Sequence, residues 1–357
     1  MRATVQRIFA TLIVMLALSA CGAPPDAEPM NSVTQPSAPA SAVQPQSATT
    51  TRPGTKASFS GINFPLTVTD WYGNQTTIKT KPQRVVLLAG TAFNIWYDVG
   101  GRAVGSTNRS ENIRLIPKVA EAMKPLPELG PIYSVDQETL VALNPDLVIA
   151  MGPPQDRLGA NLRTMGINVI STSLRSQDDL YMAYEMFGAM NGNHDKAIQR
   201  INQMDEQIAA IKAKFPSNDP AKIAIVHVTA QALTVKLDSS IAGQMAQSLG
   251  LVNVASGRTP DAPGSEHTPL DIEYLAKNQP DIVFVTSMIA NNDEAHAKME
   301  ASFAANAAWQ AVDAVRNGKV HYLPQQYFLF NAGPYYPDAL EYLAASIHPE
   351  IYGEPKI

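Results

Sequence analysis

The 357-residue chain has one cysteine, six scattered histidines and no apolar run long enough to cross a bilayer. One thiol makes no internal disulfide, so the fold must rest on its core, and 45% hydrophobic residues over this length supply one. Charge is sparse as well. With 27 Lys and Arg against 32 Asp and Glu, the chain carries a net charge of -5 and lacks the clustered cations that neutralise phosphates, which argues against nucleic acid as a partner. Scattered histidines disfavour a receptor for a bare metal ion, which gathers several His and carboxylates in one place. The common catalytic signatures are also missing: there is no phosphate-binding Gly-x-x-x-x-Gly-Lys loop, no dinucleotide Gly-x-Gly-x-x-Gly, no His-Glu-x-x-His and no Gly-x-Ser-x-Gly elbow.

What is present begins with an export signal. Arg2 and Arg7 precede an apolar stretch over residues 8–18, then Ser19, Ala20 and Cys21. A membrane span needs roughly 20 apolar residues, so this stretch reads as a leader. Leu18-Ser19-Ala20-Cys21 resembles a bacterial lipobox, which implies a signal peptide over 1–20 and a lipid-bearing Cys21; a plain secretory leader with an incidental cysteine is the alternative. Residues 21–60 are rich in Pro, Ser, Ala, Thr and Gln and poor in bulky apolar groups, so they read as a disordered tether.

The folded part carries a duplication. A glutamate-led helix, a Pro-Asp turn and an apolar strand occur at Glu138, Pro145-Asp146 and residues 147–150, and again at Glu273, Pro280-Asp281 and residues 282–285. Strand and helix patterns alternate around both copies, which predicts two α/β lobes with parallel sheets, at 61–175 and 216–357. Between them, Ala197, Ile201, Met204, Ile208, Ile211 and Phe215 recur every three or four residues. That spacing predicts a helix from about His194 to Lys214, roughly 30 Å long, inside a helical connector over 176–215. Two β-prone runs around Trp71-Tyr72-Gly73-Asn74 predict a hairpin at the start of the first lobe.

Several segments together resemble the substrate-binding lipoproteins of bacterial ABC importers for iron-siderophore complexes, haem and cobalamin. They are Thr69-Asp70 through Gly73 with Lys81-Pro82-Gln83-Arg84, the run from Asp98 to Gly105, both glutamate-to-Pro-Asp units, Trp309 to Val320, and the closing helix to Pro349-Glu350. The resemblance implies a class III periplasmic binding protein architecture, α/β with two Rossmann-like lobes joined by one long helix. It implies a non-catalytic, monomeric receptor, lipid-anchored in the cell envelope, without a cofactor of its own, that hands a ferric siderophore or haem to an ABC permease and its ATPase. Cobalamin, or an oxyanion or metal, on the same scaffold is the alternative cargo; an enzyme and a protein-binding surface lipoprotein are the rival classes. The positions matching the family's permease-docking glutamates are Glu138 and Glu273. Both also stand where an acid favours a helix N-terminus, behind a capping pattern at Ser134 and another at Thr268-Pro269.

Open α/β sheets bind ligands beyond the carboxyl ends of their strands. The loops there hold Thr91, Phe93, Asn108, Arg109, Tyr133, Met151, Thr229, Gln231, His267, Ser287, Met288 and residues 327–331, with Tyr327, Phe330 and Asn331 among them. Similarity to haem-binding relatives puts axial iron ligands at Tyr133 and Met288, although that pairing departs from the better-known Tyr-alone and Met-with-His sets. Plain packing roles compete for both residues. Arg109 is a candidate partner for a siderophore's oxygens or a haem propionate, and His267 a candidate ligand or propionate partner, against a solvent-facing role for each.

Overall fold

The computed structural model describes residues 48–357 apart from 89, 109–111, 217–219 and 290. The leader, Cys21 and Arg109 therefore lie outside the described residues.

The first lobe is a parallel sheet of β5 (Val85–Leu87), β6 (Gly105–Ser106), β7 (Leu147–Met151) and β8 (Asn168–Thr172), in the order β6-β5-β7-β8. The second is built on β9 (Lys222–Val228), β13 (Ile282–Ser287) and β14 (Val320–Tyr322), which run parallel, with the short β11 (Val252–Asn253) also parallel to β9. Antiparallel β10 (Leu233–Lys236) and β12 (His267–Pro269) extend one edge, so this sheet is mixed rather than purely parallel. The two Pro-Asp strands, β7 and β13, fall in different sheets.

Period-two alternation explains how the sheets are buried. In β7, Leu147 and Ile149 face one core while Val148 and Ala150 face another. In β13, Ile282 and Phe284 face the same central core as Leu147, whereas Val283 and Val285 pack outward. One central cluster thus takes the inner faces of both sheets, with the helices Gln177–Met190 and His194–Lys214 inside it. The long helix buries the expected stripe, Ala197, Ile201, Met204, Ile208 and Ile211. Its neighbour has no exposed face beyond its first turn: every residue from Asp179 to Met190 is buried. The helix Tyr336–Ile347 packs on the long helix, within the shared core rather than on the second lobe alone.

The copies agree in detail. Asp136 and Asp271 cap their helices by accepting from the Thr139 and Tyr274 amides, and these aspartates, not Ser134 or Thr268, are the caps. Asn144 and Gln279 each take a left-handed conformation, with φ of 47° and 43°, just before the proline. Asp146 then accepts from the amides of Gln83 and Arg84 at 2.7 and 3.0 Å, and Asp281 from Lys222 at 2.7 Å, so each carboxylate pins the start of the neighbouring strand.

Ahead of the first lobe, β1 (Thr49–Thr51), β2 (Ser58–Ser60), β3 (Leu66–Thr69) and β4 (Gln75–Ile78) form an antiparallel sheet. The last two are the expected hairpin. The first two lie in the stretch whose composition reads as tether. They are ordered because Phe59 is buried and Arg52 bonds to Glu185 at 2.8 Å while lying 5.0 Å over the Tyr181 ring.

Candidate functional site: the cleft between the lobes

Two adjoining hollows, of about 300 and 640 Å³, open between the lobes and share Gly90, Tyr133, Met288, Leu329 and Phe330. Tyr133 comes from the first lobe and Met288 from the second. At 59% and 49% exposed, they are among the largest apolar groups left uncovered in the chain, and they stand where a ligand would cover them. Tyr133 sits on a braced loop: the buried Gln155 side chain donates to the Ile132 and Leu88 carbonyls at 3.0 Å each and accepts from the Met151 amide at 2.8 Å.

Of the residues that the sequence singles out, Thr91, Met151 and Asn331 line the first hollow, Asn108 the second, and Tyr133, Met288 and Phe330 both. The Thr91 hydroxyl is already engaged, donating to the Asn331 carbonyl at 2.6 Å, while the Asn331 side chain donates to the Ser176 carbonyl at 3.3 Å. That node ties the two lobes together at the cleft. Phe93 and Tyr327 are core residues, and Ser287 is buried with its hydroxyl accepting from the Ile289 amide. Thr229 and Gln231 close a turn, with the Thr229 Oγ1 accepting from the Ala232 amide at 3.0 Å, and they line neither hollow.

His267 also stands outside both hollows. Its Nδ1 lies 3.2 Å from the Thr234 hydroxyl and its ring 4.9 Å from that of His227. The carboxylate that reaches the cleft is its neighbour Glu266, ion-paired with Lys236, itself only 8% exposed. Burial lowers the pKa of Lys236, an effect opposed by Glu266, and burial with the Lys236 charge pushes His227 down to about 3.

Several cleft residues lie outside the candidates that the sequence singles out. Tyr72, at the hairpin turn, and Ser173 and Arg175, in the loop after β8, edge the first hollow. The rule about strand carboxyl ends would have found Ser173 and Arg175; nothing in the sequence marked a turn tyrosine. Burial raises the Tyr72 phenol, partly offset by a hydrogen bond with Ser173 and the Arg175 charge. Gly152 supports this ring, since a Cβ there would stand 1.7 Å from the Tyr72 Oη.

Glu138 and Glu273 are exposed in the first turns of their capped helices. Among the described residues no helix is long and apolar enough to cross a membrane.

A profile described as periplasmic binding protein matches residues 85–327, more than half of the chain and both lobes of the cleft. The chain belongs to the periplasmic binding protein family. As a periplasmic binding protein it is the substrate-binding component of an ABC importer and not an enzyme. It is 25% identical over 300 residues, 82% of this chain and 88% of the relative, to an uncharacterised ABC transporter substrate-binding lipoprotein of Bacillus subtilis. A cobalamin-binding protein of Halobacterium salinarum is 26% identical over 263 residues, 73% of this chain and 68% of the relative. The haem complex of IsdE from S. aureus superposes with a TM-score of 0.64 at 17% identity, over 74% of this chain and 98% of that one, and so shares the fold.

Proposed function

We propose that this periplasmic binding protein captures an iron complex, and among iron complexes haem, between its lobes and delivers it to an ABC permease. The observation that carries this reading is the pair Tyr133 and Met288, from opposite lobes, both bordering both hollows and both uncovered. A phenolate and a thioether are haem-iron ligands, and the apolar wall formed with Phe330, Leu329 and Met151 suits a flat macrocycle. Among the described residues no group of three or more His, Cys, Asp or Glu is placed to hold a metal ion, which favours a chelated over a bare metal. Glu138 and Glu273 would dock the permease, and Cys21 would carry the lipid that keeps the receptor at the membrane.

The test is titration of the purified protein with haemin. A Soret band shifted from that of free haemin, weakened in Tyr133→Phe and in Met288→Ala, supports the reading; an unshifted band removes haem. The cobalamin-binding relative supports cobalamin as the second reading. Calorimetric binding of cobalamin without any Soret shift by haemin would favour it.

A further inference from the structure

The cleft is mainly apolar, and the charged groups among its described lining residues, Arg175 and Glu266, lie at one edge. There the Tyr72 phenol, the Ser173 hydroxyl and the Arg175 guanidinium border the first hollow, with Glu266 also lining it. Arg175 comes from the loop after β8, yet its Nη1 donates to the Gly264 carbonyl of the second lobe at 3.3 Å. It forms no ion pair with a carboxylate among the described residues. The Glu266 carboxylate, by contrast, is neutralised by Lys236. Among the described residues that line this hollow, that leaves the Arg175 guanidinium without a balancing carboxylate, beside the hydrogen-bonded pair of Tyr72 and Ser173 hydroxyls.

The edge is also built in advance. Buried Asp70 accepts from the Tyr72 amide at 2.9 Å. Buried Asp179 accepts from the Trp71 indole at 2.8 Å and from the Arg175 and Ser176 amides at 3.1 and 3.0 Å. One carboxylate thus ties the Trp71 side chain, next to Tyr72 in the chain, to the backbone of Arg175, and Gly152 leaves room for the Tyr72 ring. Donors held in place before the ligand arrives lose little freedom on binding.

We propose that Tyr72, Ser173 and Arg175 form the subsite that selects cargo bearing a free carboxylate. The guanidinium supplies the charge and a two-pronged hydrogen bond, and the hydroxyls direct the carboxylate into the cleft. This deepens the reading given above and rests on it: haem would be oriented with a propionate at this edge and its iron between Tyr133 and Met288.

The probes are haemin and its dimethyl ester, identical in macrocycle and iron but with both carboxylates blocked. Wild-type protein is expected to bind haemin about tenfold more tightly than the ester. Arg175→Gln should abolish that preference by weakening haemin alone, Arg175→Lys should restore part of it, and Tyr72→Phe should reduce it several-fold. Equal weakening of haemin and ester by Arg175→Gln, or no weakening of haemin, overturns the proposal. If haemin does not bind the wild type, ferric dicitrate followed by tryptophan quenching separates the two ideas. Its Arg175-dependent binding keeps the carboxylate subsite and removes haem, whereas no binding of either carboxylate-bearing probe removes both.

Discussion

The two lobes share a frame and differ in everything added to it. Each has the aspartate cap, the glutamate in the first turn, the left-handed residue before proline and the carboxylate that pins the next strand. The first lobe then gains an antiparallel sheet fastened through buried Asp70, while the second gains β10, β12, the buried Lys236 and His227, and the half-buried His267. Duplication accounts for the gap between the lobes, and the additions bring Tyr72 and Glu266 to the edge where Ser173 and Arg175 follow β8.

The largest effect should come from unfastening the first lobe's addition. Asp70 is fully buried and accepts from Tyr72, Asn74, Ser171 and Arg163. Asp70→Ala leaves the Arg163 charge unpaired and should cost about 3–5 kcal/mol in urea denaturation; a loss below about 1 kcal/mol would mean that the sheet is held by other contacts.

Acid should distinguish the lobes next, because all six histidines lie at or beyond residue 194. With His227 held down to about 3, the unfolded chain binds a proton below about pH 6.5 that the folded chain refuses. Stability should therefore fall by about 1.4 kcal/mol per pH unit from about pH 6 to pH 4 on account of this group. His227→Asn should flatten the urea-midpoint profile over that range, and an unchanged slope would show that other groups set it.

Docking tests whether the lobes are equivalent to the permease. Glu138→Ala and Glu273→Ala should each lower uptake about tenfold and leave ligand affinity unchanged; loss from one variant only would make docking one-sided. The smallest effect concerns the left-handed pair. Asn tolerates that backbone, and Asn144→Gly should stabilise by about 0.5 kcal/mol. Gln279 also donates to the Ala311 carbonyl and accepts from the Asp313 amide. Gln279→Gly should therefore destabilise by about 1 kcal/mol, both changes being read from thermal midpoints.

The frame was legible because buried strands, Pro-Asp turns and the stripe on the long helix are local patterns, and their repetition reinforced each of them. The helix Asn292–Ala305 escaped notice because it buries only Ala295 and Met299, too few for a period to appear. Tyr133, Met288 and Phe330 could be placed at the cleft from their positions after strands or beside the repeat. Thr229 and His267 sit at comparable positions but serve a turn and a buried cluster, since position does not fix the direction of a side chain. Tyr72 belongs to the cleft only through Asp70 and Asp179, contacts between segments about a hundred residues apart that no local pattern announces.

The central cluster beneath both sheets has a mechanical consequence. Prising the halves apart would tear apolar groups of Leu147, Phe284 and the buried helix from one another, so thermal agitation alone does little to widen the mouth. Cargo retention then resembles a stiff clip rather than a sprung trap, and the force that empties it has to be applied by the membrane machinery to which it is delivered.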